Sequence, residues 1–348
     1  MKFHMRFIRL PLLFIYIISS TDCLAQLGGS NTFAFLDLVS SPRSAALGGN
    51  AISTRVDDVS LVWQNPSLLS AGMNKQLQLS FVDYFEGINF GQAAYAQNIN
   101  RFGMSALTLH YINYGTFNMT DVAANDLGTF KAAEYALGFS WSKSLDSLFF
   151  IGATVKGIYS KLESYSSTGV AADLGVTYFS KDKFFSASVT ATNFGRQLKY
   201  YDESTGREPL PFEIQVGLTK RLPKAPFRFG ITWQHLEKFN ITYSDPTIPD
   251  VDPLTGESND KSISFLKKSV RHLVLNTELL LSKSFNIRVG YNFQRRAELA
   301  NINRRLLVGL SGGFGFRVSK FQLNYARVLY HIKGASNQFS VGVNLSDF

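Results

Sequence analysis

The sequence holds a single cysteine, Cys23, and only five histidines along 348 residues. One thiol excludes an intramolecular disulfide framework. Scattered histidines with no H-E-x-x-H motif and no i,i+4 pair exclude the common zinc sites. Beyond the N-terminal segment no apolar run is long enough to cross a bilayer as a helix, so any crossing must be made by strands. Acidic residues are in deficit, 26 against 35 Lys and Arg, giving a net charge of +9. That surplus suits anionic head groups or an acidic partner and does not by itself indicate nucleic acid.

The N-terminus reads as a secretory signal. Lys2, Arg6 and Arg9 precede a short apolar core at 10–18, and Cys23-Leu24-Ala25 puts small residues at −3 and −1. Cleavage after Ala25 is expected. It would remove the only thiol and lower the net charge to +7. Acylation of Cys23 is the alternative, but Ser20 stands where a leucine is wanted and Asp22 directly precedes the cysteine.

What is abundant is aromatic and small. Aromatics are 14% of the chain, with 30 Phe and 15 Tyr, beside 27 Gly. Mean hydropathy is −0.01. From Lys75 onward apolar residues alternate with small or polar ones. Leu77, Leu79 and Phe81 interleave with Gln76, Gln78 and Ser80. Phe285, Ile287, Val289 and Tyr291 oppose Asn286, Arg288, Gly290 and Asn292. Period two places each set on one face of a strand. About 14 such segments follow one another, starting near residues 75, 88, 102, 132, 148, 168, 184, 210, 226, 269, 284, 304, 320 and 336; the even number suits a single-chain antiparallel transmembrane β-barrel.

The connections sharpen this expectation. If the first strand runs outward, the gaps at 98–101, 144–147, 181–183, 222–225, 282–284 and 319–320 are tight turns. Those at 113–131, 162–167, 195–209, 238–268 and 295–303 are longer loops. Short turns on one side and long loops on the other mark an outer-membrane barrel, with long loops extracellular and short turns periplasmic. The C-terminal Phe348 also suits such a barrel, although it falls out of register with Phe339, Val341, Val343 and Leu345.

Residues 26–74 lack the alternation. Ser41-Pro42, Asp58 and Asn65-Pro66 are cap signals for short helices, and Leu47-Gly48-Gly49 suits a tight turn or a close backbone approach. A compact helix-and-turn piece ahead of a barrel is expected to be a plug in its lumen.

Chemistry-bearing patterns are few. Gly309-Leu310-Ser311-Gly312-Gly313 fits the G-x-S-x-G nucleophile elbow, but it lies within a strand pattern with no helix after it. Asp250, Asp252 and Glu257 resemble part of a calcium loop, which fails at Leu254 where an oxygen ligand is needed. A solvated acidic loop fits them better. These three residues, with Arg295, Arg296, Arg304 and Arg305, form a candidate partner-binding rim on the long-loop side. The arginines could hold lipopolysaccharide phosphates or a partner's carboxylates, or could be ordinary charged strand ends. No catalytic, cofactor or metal set is expected.

The plug stretch holds Arg43, Gly48, Gly49, Asp57, Asp58, Asn65 and Pro66 in an order that resembles the hatch of the long-chain fatty-acid transporter superfamily, with Ser67 in place of the usual alanine. Within it, Tyr111-Ile-Asn-Tyr-Gly-Thr-Phe117, Gly152-Ala-Thr-Val-Lys156, Leu162-Glu-Ser-Tyr165 and Arg207-Glu-Pro-Leu-Pro-Phe-Glu-Ile214 resemble the PorQ family of type IX secretion in Bacteroidetes. The resemblance implies a non-enzymatic component of the cell-surface attachment complex. It would anchor a PorZ-like surface protein, alongside a PorU-like sortase and a PorV-like barrel. A transporter of hydrophobic small molecules is the alternative, and it requires an apolar pocket beside the hatch.

Overall fold

The computed structural model describes residues 31–123, 125–203, 206–241, 264–299, 308–331 and 334–347. The expected signal at 1–25, acidic residues Asp250, Asp252 and Glu257, and arginines Arg304 and Arg305 lie outside them. So does Phe348.

Fourteen antiparallel strands close into a barrel, as the alternation predicts. They are β1 (Gln76–Asp83), β2 (Asn89–Asn98), β3 (Met104–Thr120), β4 (Asp126–Ser144) and β5 (Phe149–Leu162). β6 (Tyr165–Phe179), β7 (Phe185–Lys199), β8 (Glu213–Arg221), β9 (Phe227–Trp233) and β10 (Leu273–Leu279) continue the wall. β11 (Phe285–Asn292), β12 (Leu310–Val318), β13 (Phe321–His331) and β14 (Gly334–Asn344) complete it. Closure is made by β1 on β14, from Gln76 opposite Asn344 to Asp83 opposite Asn337. No edge is left to pair with another chain.

Burial is inverted relative to a water-soluble domain. On β1, Leu79 is 55% exposed while its neighbour Gln78 is 2% exposed. Phe139, Val155, Leu174 and Val189 likewise face out, while Ser140, Thr154, Asp173 and Thr190 are buried. Outward apolar side chains replace water with lipid, and inward polar ones meet one another and the plug.

Three expected loops are shorter than the sequence suggests. The 162–167 gap is a two-residue turn, with Glu163 at φ 59° and pairing resumed from Leu162 opposite Tyr165. Ser167 is buried and points inward, so its polarity belongs to the lumen and not to a loop. β3 and β4 stay paired out to Thr120 opposite Asp126, with Phe117 stacked on Phe130 at 5.2 Å. β7 continues to Lys199. Above the apolar belt a strand no longer needs a greasy face, so its ladder outlasts its hydropathy signal. The strand expected from 304 begins at Leu310. The one before it gives way at Phe293 to a helix (Phe293–Leu299).

Residues 31–74 lie inside the barrel. Helix α1 (Pro42–Ala46) starts at Ser41, whose hydroxyl accepts the Ser44 amide at 3.4 Å. Asp58 and Asn65 cap the 3-10 turns Val59–Trp63 and Pro66–Leu68 in the same way. Side chains thereby satisfy the open amides of elements too short to persist alone. Among the described residues two further α-helices, α2 (Phe265–Arg271) and α3 (Phe293–Leu299), stand at the long-loop end and touch each other.

Candidate functional site

The plug is fixed to the wall by a buried ionic network. Arg228, Glu278 and Arg288 are side by side on β9, β10 and β11, since Glu278 registers with both arginines. Arg43 from α1 enters this row: its Nη1 donates to Glu278 at 2.6 Å and its Nε to Asp58 at 2.8 Å. Glu278 also accepts from Arg228 at 2.6 Å and from Arg288 Nε at 3.1 Å. Arg288 donates its Nη1 to Asn324 at 3.0 Å and is fully buried. Charges held this deep persist only when paired and hydrogen-bonded.

A second plug contact crosses the barrel. Lys156 on β5 is 2.8 Å from Asp173 on β6, and its ammonium sits 4.2 Å above the Trp63 ring of the plug. The Trp63 indole N–H donates to Leu36 O at 3.1 Å. Above it, toward the long loops, Phe33, Phe35 and Leu36 fill an apolar chamber walled by Phe90, Ile112 and Ile158. Each buried aromatic there contributes about 1.5–3 kcal/mol.

Glycines let the plug lie against the strands. A Cβ on Gly290 would run into the Leu47–Gly48 backbone, and one on Gly152 into Pro66 and Ser67. Gly48 itself has φ 90°, and its amide donates to Ser311 Oγ at 3.0 Å. That contact gives Ser311 a structural role inside β12. The strand-to-helix turn that a nucleophile elbow needs is replaced by continued strand.

The remaining plug residues singled out in the sequence join the same assembly. Asn65 donates to Ile52 O at 2.7 Å and to Thr177 on β6 at 3.2 Å. Asp57 is exposed and accepts from Ser70 at 2.9 Å. Arg295, on α3, faces Gly49, where an added Cβ would meet its Nη2 at 3.1 Å. Arg296 donates to the Tyr291 hydroxyl at 2.6 Å. Glu278, Arg228 and Arg288 hold the plug to the wall, and nothing in the sequence alone marks them for it beyond a charge at the inward position of three neighbouring strands.

At the long-loop end a carboxylate group surrounds one imidazole. His235 Nδ1 is 3.4 Å from both Glu213 and Glu237. Burial opposes its charge, yet the two carboxylates hold the imidazole up at about 9. Asp37 of the plug accepts from Asn193 at 2.9 Å nearby. Enclosure by the lumen, then Glu213, raise its carboxyl above the usual carboxylate range, although the side chain is exposed beside a small cavity.

Past the strands, Phe239 and Phe265 stack at 5.2 Å. Phe239, Phe265 and Leu266 are 55%, 67% and 71% exposed. At the opposite end, a polar cavity of about 410 Å³ opens beneath the plug among the tight turns of β8–β13.

No protein-family model matches the sequence, and no curated protein does. Solved structures are similar in fold. A deletion mutant of the TodX monoaromatic hydrocarbon channel aligns with a TM-score of 0.51 at 12% identity, over 89% of this chain and 98% of that one. A Pseudomonas aeruginosa FadL homologue gives 0.50 at 13% identity, over 88% and 98%. At such identity the likeness concerns the fold alone: a closed 14-stranded antiparallel barrel.

Proposed function

We propose that the chain is a non-enzymatic scaffold of type IX secretion, of the PorQ kind, which holds a PorZ-like surface protein at its long-loop end beside a PorU-like sortase and a PorV-like barrel. In this reading a signal peptide exports the chain, and the long loops face the outside.

The observation that carries it is the apolar patch of Phe239, Phe265 and Leu266, exposed beyond the strands where Phe239, from the segment after β9, stacks on helix α2, which touches α3. Outside the bilayer, contiguous exposed aromatics mark a surface that another protein covers. The plug adds support. Its chamber is filled by Phe33, Phe35 and Leu36, and the cavity on its other side is lined by charge. A lumen occupied in this way suits an anchor.

Passage of hydrophobic molecules is the second reading, favoured by the TodX and FadL-homologue folds and by the apolar lining of that same chamber. It requires Phe33–Leu36 to leave.

Tagged protein extracted from its native outer membrane in mild detergent and analysed by mass spectrometry separates the two. Recovery of a PorZ-like surface protein with the sortase and larger barrel supports the scaffold. Recovery of the chain alone, with a hydrophobic molecule bound, transfers the case to transport.

A further inference from the structure

We infer that the cavity at the tight-turn end is a binding site for a multivalent phosphate anion, independent of whether the long-loop end anchors a protein. The cavity, about 410 Å³, lies beneath the plug and opens past the turns of β8–β13. Its floor is the buried network, in which Arg43 and Arg228 are already committed to Glu278. Around its mouth stand Arg221, Lys283 and Arg317, all exposed, and no ion pair joins them to a carboxylate among the described residues. Asp57 and Glu278 are the acidic groups on the lining, which leaves an excess of three positive charges.

An independent observation lies in the wall. Arg288, wholly buried, leaves its Nη2 without a hydrogen-bond partner among the described residues. That nitrogen packs against Gly315, where a Cβ would collide with it, and Gly315 and Asn324 both line the cavity. A buried guanidinium N–H without an acceptor is costly and is seldom retained without a reason.

The charge decides the class of ligand. A single carboxylate balances one of the three surplus charges. A phosphate monoester or pyrophosphate supplies two or more, with oxygens spaced for the guanidinium fork. The chemistry is that of a phosphorylated small solute or of a phosphomonoester lipid head group, as in phosphatidic acid, reaching over the rim.

The test is titration calorimetry of the full chain in detergent with inorganic pyrophosphate, against the variant Arg221→Gln/Lys283→Gln/Arg317→Gln. Arg221 stands opposite Arg228 on the neighbouring strand, but none of the three residues bonds to the plug network among the described residues, and the heat-shifted gel mobility of a folded barrel confirms the variant's integrity. Saturable binding that weakens with salt and falls at least about tenfold in the variant is expected. Repeating the titration in nanodiscs with and without phosphatidic acid assigns the source. Competition by the lipid means a head group, and no competition means a free solute. Absence of saturable binding, equal affinity in the variant, or tighter binding of an acidic peptide than of pyrophosphate overturns the inference.

Discussion

Arg43 and Glu278 are 235 residues apart in sequence and 2.6 Å apart in space, and this ion pair joins the plug to the wall. Its two ends are not equivalent. Glu278 is the anion shared by Arg43, Arg228 and Arg288, whereas Arg43 has a second acceptor in Asp58. Glu278→Gln therefore strands three guanidinium groups around a neutral amide. Losing one partner of a buried ionic set costs about 3–5 kcal/mol, so the barrel should unfold at clearly lower denaturant or temperature. Arg43→Met leaves Glu278 with two arginines and should cost the barrel less while loosening the plug. Equal unfolding midpoints for wild type and Glu278→Gln would show that the network does not stabilise the fold.

Gly290 and Gly152 carry the closest backbone approaches between wall and plug, and neither has a left-handed φ. A side chain there is acceptable to the strand and unacceptable to the plug. Gly290→Val should leave an intact barrel with α1 displaced. Overpacking of this kind costs about 1–3 kcal/mol. Limited proteolysis should then cut within residues 31–74 in the variant and spare them in wild type. The same single-channel conductance for both proteins in a planar bilayer would argue that the plug remains seated.

These contacts explain what was legible in the sequence. Strands such as β5 and β11 declare themselves because lipid demands an apolar residue at every second position, as at Val155 or Ile287 and Val289. The caps Ser41, Asp58 and Asn65 are local devices and read equally well. The Arg228–Glu278–Arg288 row is not local. It depends on the register of β9 with β10 across a connection of some forty residues, which no spacing rule fixes. Ends of strands were lost for a related reason: above the membrane, Thr120 or Lys199 can pair without any apolar partner.

Phe265 and Leu266 should decide partner capture. Their replacement by aspartate removes apolar area that is already exposed, so the barrel's stability should hardly change. Burial of two such side chains in an interface contributes about 1.5–3 kcal/mol each, so co-purification of the surface protein should fall at least tenfold. Removing 238–268 should abolish it. Undiminished recovery with Phe265→Asp/Leu266→Asp would place the contact elsewhere on the loops.

Alkaline pH should loosen the long-loop end of the plug. His235 is held at about 9 against an ordinary 6.5 by Glu213 and Glu237 in spite of burial. A raised cation contributes fully below its ordinary value, and that contribution disappears as pH climbs through 6.5 to about 9. Asp37 is raised above its ordinary 3.8 by enclosure and by Glu213, so its preference for the docked, neutral form also declines as pH rises, an effect that its exposure to solvent reduces. The two signs agree, and together they weaken docking between neutral and alkaline pH. Asp37 borders a cavity, so His235 should be the larger contributor. Trp63 reports on the change, because its indole N–H is tied to Leu36, the residue before Asp37. In a Trp141→Phe/Trp233→Phe background its emission should shift to the red between about pH 7 and pH 10, reversibly. His235→Gln should flatten most of that shift, and Asp37→Asn a smaller part. An emission maximum that stays constant across that range would mean that these groups titrate without moving the plug.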